Sequence, residues 1–283
     1  MKRLCLIVFA ALAVLAVVSA VVTLVGGRGV SLAQKVALVR IEGPIVDSKD
    51  AVEEIRDYAD DPSIKGIVIR VDSPGGAVAP SQEIFEEVTR AAEVKSVVVS
   101  MGSLAASGGY YISAPATRIV ANPGTITGSI GVIMEIPNIQ GLMDKLGIKT
   151  QVVKSGEHKD LASMFRELGP EERGILQGVL DDVHEQFISA VAEGRGMPVE
   201  VVKELADGRV FTGRQAKELG LVDELGNLQD AIDLSAELSG IEGKPEVVTR
   251  KEKLSVVDFL RGEISSRIAE VFPPVRLQYL LSP

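Results

Sequence analysis

The chain has no tryptophan, one cysteine and two histidines among its 283 residues. A lone cysteine excludes an intrachain disulfide, and Cys5 has no small-residue lipobox ahead of it that would mark it for lipidation. One cysteine and two histidines supply no ligand cluster at zinc spacing. Aromatic residues are only 4% of the chain, so a core must be built from Val, Ile, Leu and Ala. Positive charge is short too. The formal net charge is −9 and no basic patch stands out to neutralise phosphates, which argues against a nucleic-acid partner. No repeat recurs at a period of about 20–50 residues, which excludes a solenoid. The length suits one large domain, alone or with appendages.

The hydrophobic residues are unevenly spread. After Met1-Lys2-Arg3 comes an uncharged run from Leu4 to Gly27, longer than the roughly 20 residues a bilayer-spanning helix needs. A cleavable secretory signal would end near Val18-Ser19-Ala20. The apolar run continues through Val21, Val22, Leu24 and Val25, which favours a retained transmembrane anchor over residues 1–27. Lys2 and Arg3 favour a cytoplasmic N-terminus, leaving the rest of the chain on the outer face of the membrane. Residues 28–34 read as a tether. At the other end, 251–283 form an amphipathic tail, with Val257, Leu260, Ile264, Ile268 and Val271 at helical spacing before Pro273-Pro274. Val275–Pro283 are expected to be mobile or bound to a neighbour.

Between these ends, residues 35–250 alternate strand and helix patterns. Strands are expected at Val36–Ile41, Gly66–Val71, Lys95–Met101, Arg118–Ala121, Ile148–Val153 and Glu246–Thr249. Helices are expected at Ser48–Ala59, Pro80–Ala92, Ala105–Ala114, Ile139–Leu146 and Glu171–Ala192. Repeated βα units predict an α/β fold with a mainly parallel sheet covered by helices.

The chemistry-bearing stretch is Val94–Tyr111. Its β-branched run ends in small residues, Gly102-Ser-Leu-Ala-Ala-Ser-Gly-Gly109, before Tyr110 and Tyr111. A strand entering a helix there leaves backbone N–H groups free to bind negative charge, and Ser107 is a candidate nucleophile among small neighbours. Ser73-Pro-Gly-Gly76 also follows a strand and lets backbone N–H groups approach a ligand closely. It lacks the Lys-Ser/Thr of a phosphate-binding loop and the spacing of a dinucleotide fingerprint. A serine nucleophile needs a base. His158 could join Ser107 and Asp160 in a triad, but as i, i+2 neighbours His158 and Asp160 are poorly placed to pair. His184 belongs to a helix stripe and reads as a surface or packing residue. Lys154 and Lys159 are the lysine alternatives. A lysine acts as base only when neutral, which requires its pKa of about 10.4 to fall by about 3 units.

Five segments, in order, resemble the signal peptide peptidase A family of membrane-bound serine proteases. They are Arg70-Val-Asp-Ser-Pro-Gly-Gly76, Ser103-Leu-Ala-Ala-Ser-Gly-Gly-Tyr-Tyr111, Thr125-Ile-Thr-Gly-Ser-Ile-Gly-Val132, Lys154-Ser-Gly-Glu-His-Lys-Asp160 and the stretch Gly208–Gly226. The resemblance implies a Clp protease/crotonase-like fold of ββα/βα units, in the half-length form of the family. It implies that Ser107 is the nucleophile, Lys159 the general base and Ser129 the residue that orients the lysine. It also implies that Gly108, with Gly75 or Gly76 (Gly75 preferred), forms the oxyanion hole. The expected activity is a Ser/Lys-dyad endopeptidase that works through an acyl-enzyme on cleaved signal peptides and other unfolded membrane-proximal peptides. Ring-like homo-oligomers are implied, in which serine and lysine of one site can come from neighbouring protomers. No metal, nucleotide or organic cofactor is implied. Two rival readings are a crotonase-like acyl-CoA enzyme and a non-catalytic membrane scaffold of the same fold.

Overall fold

The computed structural model describes residues 34–250 and the backbone of Gln278–Leu280. The expected anchor and the amphipathic stretch Val257–Val271 lie outside the described residues. No helix among the described residues is long and apolar enough to cross a membrane.

Strand β1 (Lys35–Glu42) leads through helix α1 (Lys49–Asp60) into β2 (Ile64–Ser73) and the short β3 (Gly75–Ala77). Helix α2 (Val78–Val94) returns the chain to β4 (Ser96–Ala106), followed by α3 (Gly108–Ser113) and β5 (Arg118–Ala121). Then come β6 (Ile126–Gly128), α4 (Gln140–Lys145), the long α5 (Pro170–Arg195) and α6 (Val199–Leu205). The remaining elements are β7 (Val210–Thr212), α7 (Gly213–Glu218), β8 (Glu224–Leu225), α8 (Leu228–Leu238), β9 (Glu246–Val248) and β10 (Gln278–Leu280).

The main sheet runs β7-β6-β4-β2-β1-β9, and β5, with β8 beyond it, joins β4 as well. Its ladders are parallel except β6–β7. The β-branched runs are buried on both faces, as a parallel sheet demands. Ala37, Val39, Ile67, Ile69, Val97 and Val99 face a core shared with Ile55, Ile84, Val88 and Phe187 from α1, α2 and α5. The alternate residues Val36, Leu38, Val68 and Val98 face Ala231, Ile232 and Ala236 of α8. With tryptophan absent, aliphatic side chains carry most of this packing. The exception is a small aromatic cluster in which Tyr111 meets Phe85 at 4.9 Å and the edge of Phe187 at 5.0 Å.

Most expected elements are present within a few residues, with two instructive differences. Ile148–Val153 forms no strand, and Val153 is fully exposed. Its β-branched residues have the propensity, but a strand is stabilised by pairing and burial, which this segment lacks. In contrast, β4 runs on through Leu104-Ala-Ala106, so Ala105 and Ala106 belong to the strand and not to the helix expected over Ala105–Ala114. The extension exists because β4 changes partner. Val98–Met101 pair with β5, whereas Leu104–Ala106 pair with β6.

Candidate active site

The change of partner depends on an irregularity that two side chains hold in place. Val71 pairs with Met101 but Ser73 pairs with Ala105, so β4 carries extra residues opposite Asp72. The Asp72 carboxylate accepts the Leu104 N–H at 3.1 Å, satisfying a group the bulge would orphan. A Cβ at Gly102 would lie 2.6 Å from that carboxyl group, so glycine leaves the room it needs. On the strand before the bulge, the Arg70 guanidinium donates to Ser100 Oγ at 3.0 Å and to the Met101 carbonyl at 3.1 Å.

Beyond the bulge, β4 delivers Ser107 to the mouth of α3. Its backbone adopts φ 52°, ψ −117°, in the left-handed half of conformational space that a non-glycine residue rarely enters. A serine on a strained strand-to-helix turn is the arrangement of a nucleophile elbow. The Ser107 N–H donates to the Gly128 carbonyl at 2.8 Å, and its carbonyl accepts the Tyr111 N–H at 2.8 Å. Ser107 is 1% exposed, yet its Oγ has no hydrogen-bond partner. Backbone bonds thus fix the residue while its hydroxyl is left uncommitted.

Ser129 is the counterpart of Ser107 on the adjacent strand. Ala106 and Gly128 are partners in the parallel β4–β6 ladder, so the residues following them, Ser107 and Ser129, emerge side by side. Ser129 also has a φ of 52°, is buried, and donates its N–H to the Arg209 carbonyl at 2.8 Å.

The glycines of β3 close the other side. The Gly75 carbonyl accepts the Ile45 N–H, and the Ala77 N–H donates to the Ile45 carbonyl, each at 2.8 Å. Strand alternation therefore turns the N–H and C=O of Gly76 the opposite way, toward the edge where β10 pairs with β3. Gly75 directs its N–H at Ser73 Oγ, 3.1 Å away. A Cβ on Gly108 would lie 3.1 Å from the Gly76 nitrogen and 2.8 Å from Ser81 Oγ, so only glycine allows the two backbones to approach this closely.

Ser107, Gly108, Ser129 and the Gly75-Gly76 pair thus gather in one place. Lys159 does not join them. It is exposed on a turn after α4, and the unpartnered Ser107 Oγ makes no hydrogen bond to its amine. Its turn is nonetheless held firmly. Arg166 spends its whole donor fork there: Nε on Asp160 Oδ2 at 2.9 Å, and Nη2 on the Asp160 carbonyl at 3.1 Å and on Glu172. Nη1 reaches Glu172 at 2.6 Å and the Glu167 carbonyl at 3.2 Å. Lys154 adds bonds of 2.6 Å to Asp160 and to the Glu157 carbonyl. The Arg166 and then the Lys154 hydrogen bonds hold the Asp160 carboxyl well below the usual range, and Arg166 draws Glu172 down to about 2. Asp160 is therefore committed to two cations and unavailable to orient a histidine. His158 is exposed on the same turn with Nε2 3.8 Å from Glu171, and His184 lies half-buried on α5.

Sequence alone does not single out Asp72, Ser81 or Arg166, and it marks Ser73 only as the start of the Ser73–Gly76 turn. Asp72 and Ser73 sit inside the Arg70–Gly76 segment, where a polar pair between a strand and a Pro-Gly turn was a usable signal. Nothing local marked Arg166, whose partners are set by the fold of an irregular loop.

Residues 89–242 match the profile of peptidase family S49. A Synechocystis protein carrying a provisional protease name is 44% identical over 234 residues, covering 82% of this chain and 84% of that protein. An Enterococcus faecium protein provisionally named a signal peptide peptidase is 36% identical over 214 residues, 71% of this chain and 62% of its own. Protease 4 of Salmonella typhi is 35% identical over 258 residues, 88% of this chain but 41% of its own. The matched region thus spans less than half of that longer relative.

Proposed function

Because the chain belongs to peptidase family S49 and is a serine-type peptidase, we propose that it is a membrane-anchored endopeptidase using Ser107 and Lys159 as a dyad. The observation that carries this reading is Ser107 itself: strained, buried, fixed through its backbone and left with a free hydroxyl beside glycine N–H groups. Ser107 Oγ attacks the scissile carbonyl carbon and its proton passes to Lys159 Nζ. The oxyanion of the tetrahedral intermediate is held by the N–H groups of Gly108 and Gly76. Gly76 is preferred over Gly75 because its nitrogen lies against Gly108 and its N–H points away from Ile45, while that of Gly75 is directed at Ser73. The lysine returns the proton to the leaving amine, and water then hydrolyses the acyl-enzyme. Ser129, beside Ser107, orients the lysine amine.

Lys159 reaches this site from a second copy of the chain. A base lysine must shed its charge, which takes burial, and Lys159 is exposed within one chain. Its loop also displays unpartnered apolar side chains, with Leu142 57%, Leu146 63% and Val153 100% exposed. A neighbouring protomer covers this surface and receives the lysine in a homo-oligomeric ring. Leu4–Gly27 anchors the assembly, with the catalytic domain on the outer face. Substrates are cleaved signal peptides and other extended membrane-proximal peptides, taken up along a strand edge.

The test is cleavage of an unstructured, aliphatic-rich peptide between pH 6 and 10 by wild type, Ser107→Ala, Lys159→Ala and His158→Ala. Loss in the first two folded variants and retention in the third is expected. Activity that survives Lys159→Ala but disappears in His158→Ala overturns the dyad.

A further inference from the structure

Two buried threonines on and just before β6 send their hydroxyls back to β4. Thr125 Oγ1 donates to the Gly102 carbonyl at 2.7 Å, at the bulge. Thr127 Oγ1 donates to the Ala105 carbonyl at 2.6 Å, two residues before the nucleophile. Both bonds are additional to the backbone ladder, which pairs Leu104 with Ile126, Ala105 with Thr127 and Ala106 with Gly128. Ala105 is also where β4 resumes pairing with β2 after the bulge, opposite Ser73. A ladder this short, next to a bulge, specifies its register weakly through the backbone alone. A one-residue slip would turn every side chain of β6 to the opposite face. The Thr127 hydroxyl meets the Ala105 carbonyl only in the native register.

We propose that Thr127 is a positioning residue for catalysis: its hydroxyl locks β6 onto β4 so that Ser129 stands beside Ser107 at the spacing the lysine amine must bridge. The proposal deepens the dyad reading and rests on it, since it takes Ser107 as nucleophile and Ser129 as the residue that orients Lys159. Thr127 lies two residues before Ser129 and its acceptor two residues before Ser107, so one bond ties the strands just upstream of both serines. The next tie is the Ser107 N–H to the Gly128 carbonyl, after which each serine turns at φ 52°. A strained residue persists only where its surroundings hold it, and here both strained residues depend on the same pair of strands. Gly128, between Thr127 and Ser129, has no side chain to share the task. Thr125 acts farther back, on the bulge, and steadies β4 without setting the spacing of the two serines.

The experiment uses the full chain in peptide cleavage, with active sites counted by a serine-phosphonylating reagent so that kcat is expressed per competent serine. Thr127→Val keeps the branched shape and removes the hydroxyl. It is expected to lower kcat by about 10²-fold, the scale of a displacement of about 1 Å between reacting groups, and to leave KM nearly unchanged. Thr127→Ser, which restores the hydroxyl, recovers most of the rate. Thr125→Val, the same change at the bulge, keeps kcat near wild type. In a Ser129→Ala background the further loss from Thr127→Val shrinks, because no orienting hydroxyl remains to be misplaced. A purely structural role would lower the thermal midpoint and the number of competent serines while leaving kcat per site intact. That result overturns the proposal, as do an equal kcat loss in Thr125→Val or losses that multiply in full with Ser129→Ala. Failure of the dyad reading looks different: Ser107→Ala or Ser129→Ala then keeps full activity, and the proposal falls with its premise.

Discussion

If Ser107 is held ready for chemistry at the expense of stability, replacing it should make the protein more stable as well as inactive. Two costs are visible at the residue. Its hydroxyl is buried without a partner, worth about 1–3 kcal/mol of lost hydration. Its φ of 52° adds backbone strain of about 1–3 kcal/mol. Ser107→Ala removes the first cost and keeps the second. Ser107→Gly removes both and gives back about 0.5–1 kcal/mol in unfolded-chain entropy. The expected order of stability is Gly, then Ala, then Ser, with the alanine variant about 1 kcal/mol above wild type. For a domain of this size that is about 2–4 °C in thermal midpoint. The series is best run in a Lys159→Ala background, where no neighbouring amine can satisfy the hydroxyl. Repeating it with Lys159 present closes a double-mutant cycle. A Ser–Lys contact in the assembled protein appears there as a coupling of about 0.5 kcal/mol or more, and the alanine variant gains correspondingly less. Wild type as the most stable of the three in the Lys159→Ala background would refute the reasoning, because the hydroxyl would then have a partner inside the chain.

Three other outcomes follow from the same geometry. Gly76→Ala brings a Cβ to 2.0 Å from the Ile45 carbonyl oxygen, so β3 must shift. A folded variant loses about 10²–10³-fold in kcat, as for removal of an oxyanion donor, with its fold checked by circular dichroism. Ser129→Ala keeps the fold and lowers kcat far more than it changes KM, because the hydroxyl acts through the lysine and not on substrate. Acid should loosen the Lys159 loop selectively. Glu172 falls from 4.5 to about 2 in the folded state and Asp160 falls as well, so their contribution is complete above about pH 4.5 and disappears as the pH drops toward 2. Hydrogen exchange across residues 154–168 should accelerate over that window. In Arg166→Ala it should be fast already at pH 7, with Arg166→Lys restoring it only in part, because an ammonium cannot span both carboxylates.

The sheet and its helices were legible because a parallel strand buried on both faces writes itself as a continuous β-branched run. Arg118–Ala121 coincides with β5, and Lys35–Glu42 and Glu246–Val248 differ from their expected strands by a residue or so at the ends. Ile148–Val153 has the same composition and misled, since composition records propensity and not the presence of a partner. The short strands β3, β6 and β7 are three residues each, too short for a pattern to show. Gly75-Gly-Ala77 also has little propensity, and all three are extended because neighbouring backbone bonds hold them so. At the site, glycine and serine types pointed to residues that the fold brings together, and only the family resemblance added Lys159. What sequence could not supply was register. The pairing of Ala106 with Gly128 is what sets Ser107 beside Ser129, and the turning of Gly75 toward Ser73 is what leaves Gly76 facing the edge.

The most direct test of a site completed by two protomers is complementation. Ser107→Ala and Lys159→Ala chains, each carrying a different affinity tag, are co-expressed, and particles holding both tags are assayed for peptide cleavage. Each variant alone is expected to be inactive, while mixed particles recover a substantial fraction of wild-type kcat, because an intact serine meets an intact lysine at some interfaces. Mixed particles as inactive as either parent, with assembly and folding intact, would contradict a lysine supplied by a neighbour.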